Sequence, residues 1–126
     1  MDQPETRSQV KYMQIIEDTV EWDGFQKLLA LLREIAGEHG VSVSNVATRY
    51  ILQQDGVAAG IVGVRSSRHV KDNAGILSFS LTEKEVADIR RFMAGYPAPE
   101  GEPFALERTI GSKYRNIMWM NLNEHE

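Results

Sequence analysis

The sequence predicts a mainly helical chain that contains one buried strand. Apolar residues recur at helical spacing along most of the chain, and only the apolar run at 58–64 has the character of a buried strand. Gly60 and Gly63 interrupt that run. Because a single strand leaves both edges unpaired, we expect it to pair with the same strand of a second copy, with the tail at 117–122, or with another polypeptide.

The first three helices are predicted from apolar spacing and capping residues. One helix is expected over residues 9–20, and the second has the widest apolar stripe of the chain and ends at Gly40. A third helix is expected to begin at Ser42 or Ser44 as its N-cap and to end near Gln54. The residues of the wide stripe are Phe25, Leu28, Leu29, Leu31, Leu32, Ile35 and Ala36.

Two further helices are predicted after the strand. One runs over residues 67–75, and the other begins after Thr82, which has Glu85 three positions later in the spacing of a capping box. Gly95 and Pro97 end this last helix. The expected organisation is therefore a flexible N-terminus at 1–8, a folded segment at 9–97, and an extended linker with an apolar tail at 98–126. Within the tail, residues 117–122 suit either a short helix or an added strand.

The composition excludes several functional classes. The chain has 126 residues, 42% hydrophobic and 25% charged, with a net charge of −4, so nothing favours nucleic acid as a partner. It contains no cysteine, no apolar run of membrane-spanning length and no secretory leader, which together predict a cytoplasmic protein with no membrane partner. Its three histidines lack the spacing of metal ligands, so no metal site is predicted.

The residues that follow the predicted strand are suited to an anion. Arg65, Ser66, Ser67 and Arg68 stand in a row where a helix begins. Unpaired N–H groups and the helix dipole favour negative charge at such a position, and arginine adds a two-pronged donor. A simpler interpretation is that Ser67 only caps the helix while both arginines are solvated. Taken alone, this stretch favours the simpler interpretation.

Several ordered motifs strongly resemble the aldo/keto reductase family. The resemblance extends over residues 10–92. It favours descent of the stretch at 65–68 from an anion-binding site over the simpler interpretation as a helix cap with solvated arginines. The motifs are FQKLL at 25–29, IAGEHGVS at 35–42, NVATRYILQQ at 45–54, VAAGIVGVR at 57–65, HVKDN at 69–73 and FSLT at 79–82.

The resemblance implies an incomplete C-terminal segment of a (β/α)8 barrel that binds NADP(H). It implies that Arg65 and Ser66 contact the phosphate and that Asp72 and Asn73 face the adenine. Arg68 replaces a residue that is often acidic in the family and adds a possible phosphate contact. The positions implied to bind cofactor are Gly63, Arg65, Ser66, Arg68, His69, Asp72 and Asn73.

Catalysis in the family needs an Asp, a Tyr, a Lys and a His from the first half of the barrel, and no matching motif is present in this sequence. No catalytic residue is therefore assigned.

Three functions follow as hypotheses. The chain is an interaction or structural subunit that self-associates or packs with another protein, which is the one we favour for the isolated chain. Alternatively, it is the NADP(H)-binding part of a split reductase, or a stand-alone nucleotide- or anion-binding module.

Overall fold

The computed structural model describes residues 6–64, 66–97, 105, 108–109 and 111–115. Two compact units are formed, one by residues 1–22 with 96–126 and the other by residues 23–95. The described part of the chain is mainly helical, as predicted. Its helices are α1 (Arg7–Thr19), α2 (Glu21–His39), α3 (Val43–Leu52), α4 (Ser67–Ala74) and α5 (Glu83–Ala94), and a 3₁₀ turn (Gly75–Leu77) follows α4.

In the first unit, α1 begins two residues earlier than predicted because Thr6 forms a capping box with Gln9. Near the other end of this helix, the Asp18 carboxylate accepts hydrogen bonds from the Lys113 ammonium and the Tyr114 hydroxyl. These two bonds, in that order of effect, hold the pKa of Asp18 below its usual value. Tyr114 is buried, so residues 113–114 are anchored to α1 by packing as well as by charge.

The second unit encloses the apolar core. Its buried members come from α2, α3, α5 and the segment before α5, and they bear out the wide apolar stripe predicted for α2. Val46 is fully enclosed. Burying such side chains is the main favourable contribution to folding. The buried residues of this core are Leu32, Ile35, Ala36, Val46, Leu81 and Ile89.

The end of α3 is joined to the segment before α5 by one side chain. The Gln53 amide oxygen accepts from the Leu81 N–H at 2.8 Å, and the Gln53 amide nitrogen donates to the Leu81 carbonyl at 3.0 Å. Gln53 therefore pairs with a backbone in the way that a neighbouring strand would. This contact satisfies both polar groups of Leu81, whose side chain belongs to the core.

The strand predicted at 58–64 is not formed. Residues 57–64 are irregular, and Ile61, Val62 and Val64 are exposed. Strands are stabilised by ladder hydrogen bonds and by packing on a sheet, and the described residues include no other strand that would supply them. The apolar sequence is that of a buried strand, but its backbone has no partner here.

Several predictions concern residues outside the described ranges. The N-terminus at 1–8 that is expected to be flexible is described only from residue 6. Most of the expected linker and tail at 98–126 is not described, and the choice between helix and strand at 117–122 also lies outside the described residues. Among the helices that are described, none is both long enough and apolar enough to cross a membrane. The division into residues 1–8, 9–97 and 98–126 stays a prediction.

Candidate functional site

The candidate site begins where the irregular apolar segment meets α4. Ser66 occupies the N-cap position in an extended conformation, and its side chain makes no capping hydrogen bond. Its carbonyl accepts from the His69 N–H at 3.0 Å. The cap is thus one residue before Ser67, the residue that the simpler interpretation of the sequence had assigned to it. The first turn of α4 contains no acidic residue, so no side chain there neutralises the positive end of the helix dipole.

Only some of the predicted phosphate contacts can be located. Ser66 and Arg68 are exposed, and His69 is half-buried. Arg65, which the resemblance places against phosphate, lies outside the described residues. The structure therefore places an exposed hydroxyl and an exposed guanidinium at the start of α4, next to a half-buried imidazole.

The predicted adenine-facing residues are engaged within the protein. Asp72 is half-buried, and its Oδ2 accepts from the Ser42 hydroxyl at 3.2 Å and from the Ser44 hydroxyl at 3.3 Å. Asn73 donates from Nδ2 to the Gly63 carbonyl at 3.4 Å, which is long for a hydrogen bond. No sequence pattern indicates the two serine contacts, because those serines are distant in the chain and suit a helix start without any further role.

The C-terminal end of α4 is also held closely to α3. A Cβ atom added at Gly75 would lie 2.6 Å from Nδ2 of Asn45, so any larger residue there would require the Asn45 side chain to move. Asn45 is buried, and its Oδ1 has no hydrogen-bond partner. The next residue, Ile76, is buried as well. The residues that follow α4 are therefore packed closely on α3.

No group of three or more histidine, cysteine or acidic side chains with the geometry of a metal site occurs among the described residues. His39 instead contacts Glu85, with 2.7 Å between Nε2 and Oε1. The site that the described residues build is consequently one of hydroxyl, amide, carboxylate and guanidinium groups around α4.

Comparison with known proteins decides the family. Residues 1–94 match the Aldo/keto reductase family. The chain belongs to this family. The resemblance seen in the ordered motifs is thereby confirmed, and the six motifs all lie within the matched residues.

Individual aldo/keto reductases are similar over the same region. Norsolorinic acid reductase B of Dothistroma septosporum is 34% identical over 73 residues, which are 58% of this chain and 18% of that protein. A methylglyoxal reductase of Escherichia coli is 33% identical over 73 residues, or 58% of this chain and 24% of that protein. The chloroplastic pyridoxal reductase of Arabidopsis thaliana is 39% identical over 62 residues, which are 49% of this chain and 16% of that protein.

The chain spans about a fifth of the length of these curated relatives. No solved structure matches it. The described residues therefore form a mainly helical segment of an aldo/keto reductase.

Proposed function

We propose that this chain provides the coenzyme-phosphate side of an aldo/keto reductase and supports NADP(H)-dependent carbonyl reduction only when further barrel strands pack against it. The family match of residues 1–94 is the observation that carries the proposal. The three relatives named above are each called a reductase. Reduction of a carbonyl requires a hydride from the coenzyme and a proton from an acid, and we assign only the coenzyme side to this chain.

The start of α4 is the part of the chain that we assign to the phosphate. Ser66 and Arg68 are exposed there, and no acidic residue stands in the first turn to repel an anion. Hydroxyl groups and guanidinium groups bind phosphate oxygens through charge-assisted hydrogen bonds, and the positive end of the helix adds to the attraction. Arg65 is assigned to the same phosphate from the family motif.

The proposal is tested by measuring the affinity of the chain for NADPH in an Arg65→Ala variant. We expect about a tenfold weaker affinity or more, the effect of one lost charge-assisted hydrogen bond. Arg33→Ala is the matched control, because Arg33 is an exposed arginine on α2. Equal affinity in Arg65→Ala and wild type would overturn the assignment of this site.

A second candidate function is that of an interaction or structural subunit. The exposed apolar residues Ile61, Val62 and Val64 favour it, because adjacent apolar side chains on a surface are typical of a protein–protein contact. In this case the chain self-associates or joins another protein without binding coenzyme. Mass measurement in solution tests it: Val62→Lys should dissociate the assembly, and Ala30→Lys, at an exposed position of α2, should not. A monomeric wild type would contradict self-association.

A further inference from the structure

The carboxylate of Asp72 is held by two hydroxyl groups from the start of α3. The same oxygen, Oδ2, accepts from Ser42 and from Ser44, and the two serine oxygens lie 2.9 Å apart. Ser42 is also the N-cap of α3 and accepts from the Asn45 N–H at 3.2 Å. One side chain of α4 is thus joined to a hydroxyl pair at the N-terminus of another helix.

The N-terminus of α3 lies beside the Asp72 carboxylate. The N-terminus of α3 contributes the positive end of its helix dipole, and the first turn of α3 contains no acidic residue. Hydrogen bonds from neutral hydroxyls to a carboxylate are stronger than those between neutral groups. Asp72 therefore has stabilising partners within the protein in the absence of a ligand.

A second contact fixes the same helix at the following turn. The space next to Gly75 is filled by the Asn45 side chain, at 2.6 Å from the position of an added Cβ. Because Asp72 and Gly75 are three positions apart, these two contacts hold the C-terminal half of α4 to α3 along one turn. The exposed N-terminal half, with Ser66 and Arg68, is oriented by them.

We propose that Asp72 is a positioning residue of the coenzyme site: through Oδ2 its carboxylate fixes α4 to Ser42 and Ser44 and so orients the exposed start of that helix. This inference rests on the proposed function. It adds a role within the protein to the adenine contact that the family resemblance implies for Asp72.

The proposal is tested with variants that remove either end of the contact in the full chain. Asp72→Ala removes the carboxylate, and the double variant S42G/S44A removes both hydroxyls while glycine at position 42 remains an acceptable N-cap. The double variant S42T/S44T keeps both hydroxyls and should therefore keep the contact with Asp72. Ser80→Ala is the control, because the Ser80 hydroxyl also bonds to α3, accepting from Arg49 at 2.6 Å.

Two quantities are measured for each variant: amide hydrogen exchange of residues 69–74 without ligand, and the affinity for NADPH. We expect Asp72→Ala and S42G/S44A each to speed exchange and to weaken NADPH binding about tenfold, as for one charge-assisted hydrogen bond. Combining Asp72→Ala with S42G/S44A should change exchange and affinity little further, because each variant already removes the same contact. S42T/S44T and Ser80→Ala should behave as wild type in both measurements.

The outcomes separate this inference from the proposed function. If Asp72 acts only on the adenine, Asp72→Ala weakens binding while S42G/S44A leaves it unchanged, and the positioning role is overturned. Unchanged exchange in both variants also overturns it. If exchange responds as expected but wild type binds no NADPH, the proposed function fails and the positioning role fails with it, leaving a contact that only stabilises the fold.

Discussion

His39 and Glu85 join the C-terminal end of α2 to the first turn of α5, with 2.7 Å between Nε2 and Oε1. The other carboxylate oxygen of Glu85 accepts from the Thr82 N–H at 2.6 Å and from the Thr82 hydroxyl at 2.8 Å. The His39 ring also packs against Phe79 at 4.9 Å between centroids. One buried carboxylate thus completes a helix cap and connects two helices of the core.

This arrangement predicts a loss of stability in acid. Burial alone would raise the pKa of Glu85, but the hydrogen bonds from Thr82 and the contact with His39 outweigh it and hold the pKa below the ordinary 4.5. A depressed folded-state pKa contributes stability that is complete above pH 4.5 and is lost as the pH falls through the folded value. Urea unfolding of wild type and Glu85→Gln should therefore differ most at neutral pH and converge in acid.

The control for this prediction is Glu83→Gln, which changes an exposed carboxylate in the same first turn of α5. Its unfolding should follow the pH dependence of wild type. A constant difference between wild type and Glu85→Gln from neutral to acidic pH would show that the charge of Glu85 does not stabilise the fold.

The first unit has its own pH-dependent contact at Tyr114. Burial, followed by the hydrogen bond to Asp18, raises the pKa of Tyr114 from 10.0 to about 12. A raised folded-state pKa gives stability that is complete below pH 10.0 and is lost as the pH rises towards 12. Tyr114→Phe should cost about 1 kcal/mol at neutral pH and should lack the alkaline loss in urea unfolding. Tyr12→Phe, at an exposed tyrosine of α1, should leave the stability at neutral pH and its alkaline loss unchanged.

Glycine at position 75 is required by the proximity of Asn45. Gly75→Ala would place a Cβ 2.6 Å from the Asn45 amide nitrogen, so we expect a loss of about 1–3 kcal/mol in the free energy of unfolding. Adding Asn45→Ala should relieve the clash and recover part of that loss. Gly37→Ala is the contrast: no atom lies within 4 Å of its added Cβ, so the helix should gain about 0.5–1 kcal/mol. Equal effects at the two glycines would contradict this account.

The Gln53 side chain is predicted to contribute more stability than a surface glutamine. Gln53→Ala leaves both backbone groups of Leu81 without these partners and should cost about 1–3 kcal/mol in urea unfolding. Gln53→Glu keeps an acceptor for the Leu81 N–H but loses the donor, so its cost should be intermediate. Gln26→Ala, at an exposed position of α2, should have little effect. A Gln53→Ala variant as stable as wild type would argue against the double hydrogen bond.

The features that the sequence predicted correctly depend on neighbours along the chain. The N-cap of α3, expected at Ser42 or Ser44, lies at Ser42, and the predicted capping box of Thr82 with Glu85 is present. The apolar stripe of α2 likewise identified Leu32 and Ile35 as core residues. Local hydrogen bonds and helical periodicity are encoded by short spacings, which is why a single sequence suffices for them.

The contacts that escaped prediction join distant parts of the chain. Asp72 bonds to Ser42 across 30 positions, and Gln53 bonds to Leu81 across 28. No local pattern identifies such partners. The prediction of a strand at 58–64 was wrong for a related reason. The composition of this segment favours a strand, but a strand forms only when it pairs with another strand, and no such partner is present among the described residues.

The most direct test of the central claim is calorimetric titration of the wild-type chain with NADPH and with NADH, with its mass in solution measured in parallel. We predict that NADPH binds in preference to NADH, because Ser66 and the arginines around the start of α4 would meet the 2′-phosphate that only NADPH has. Equal affinity for both coenzymes, or binding of neither by a chain of defined oligomeric mass, would contradict a coenzyme-phosphate role and favour the structural subunit.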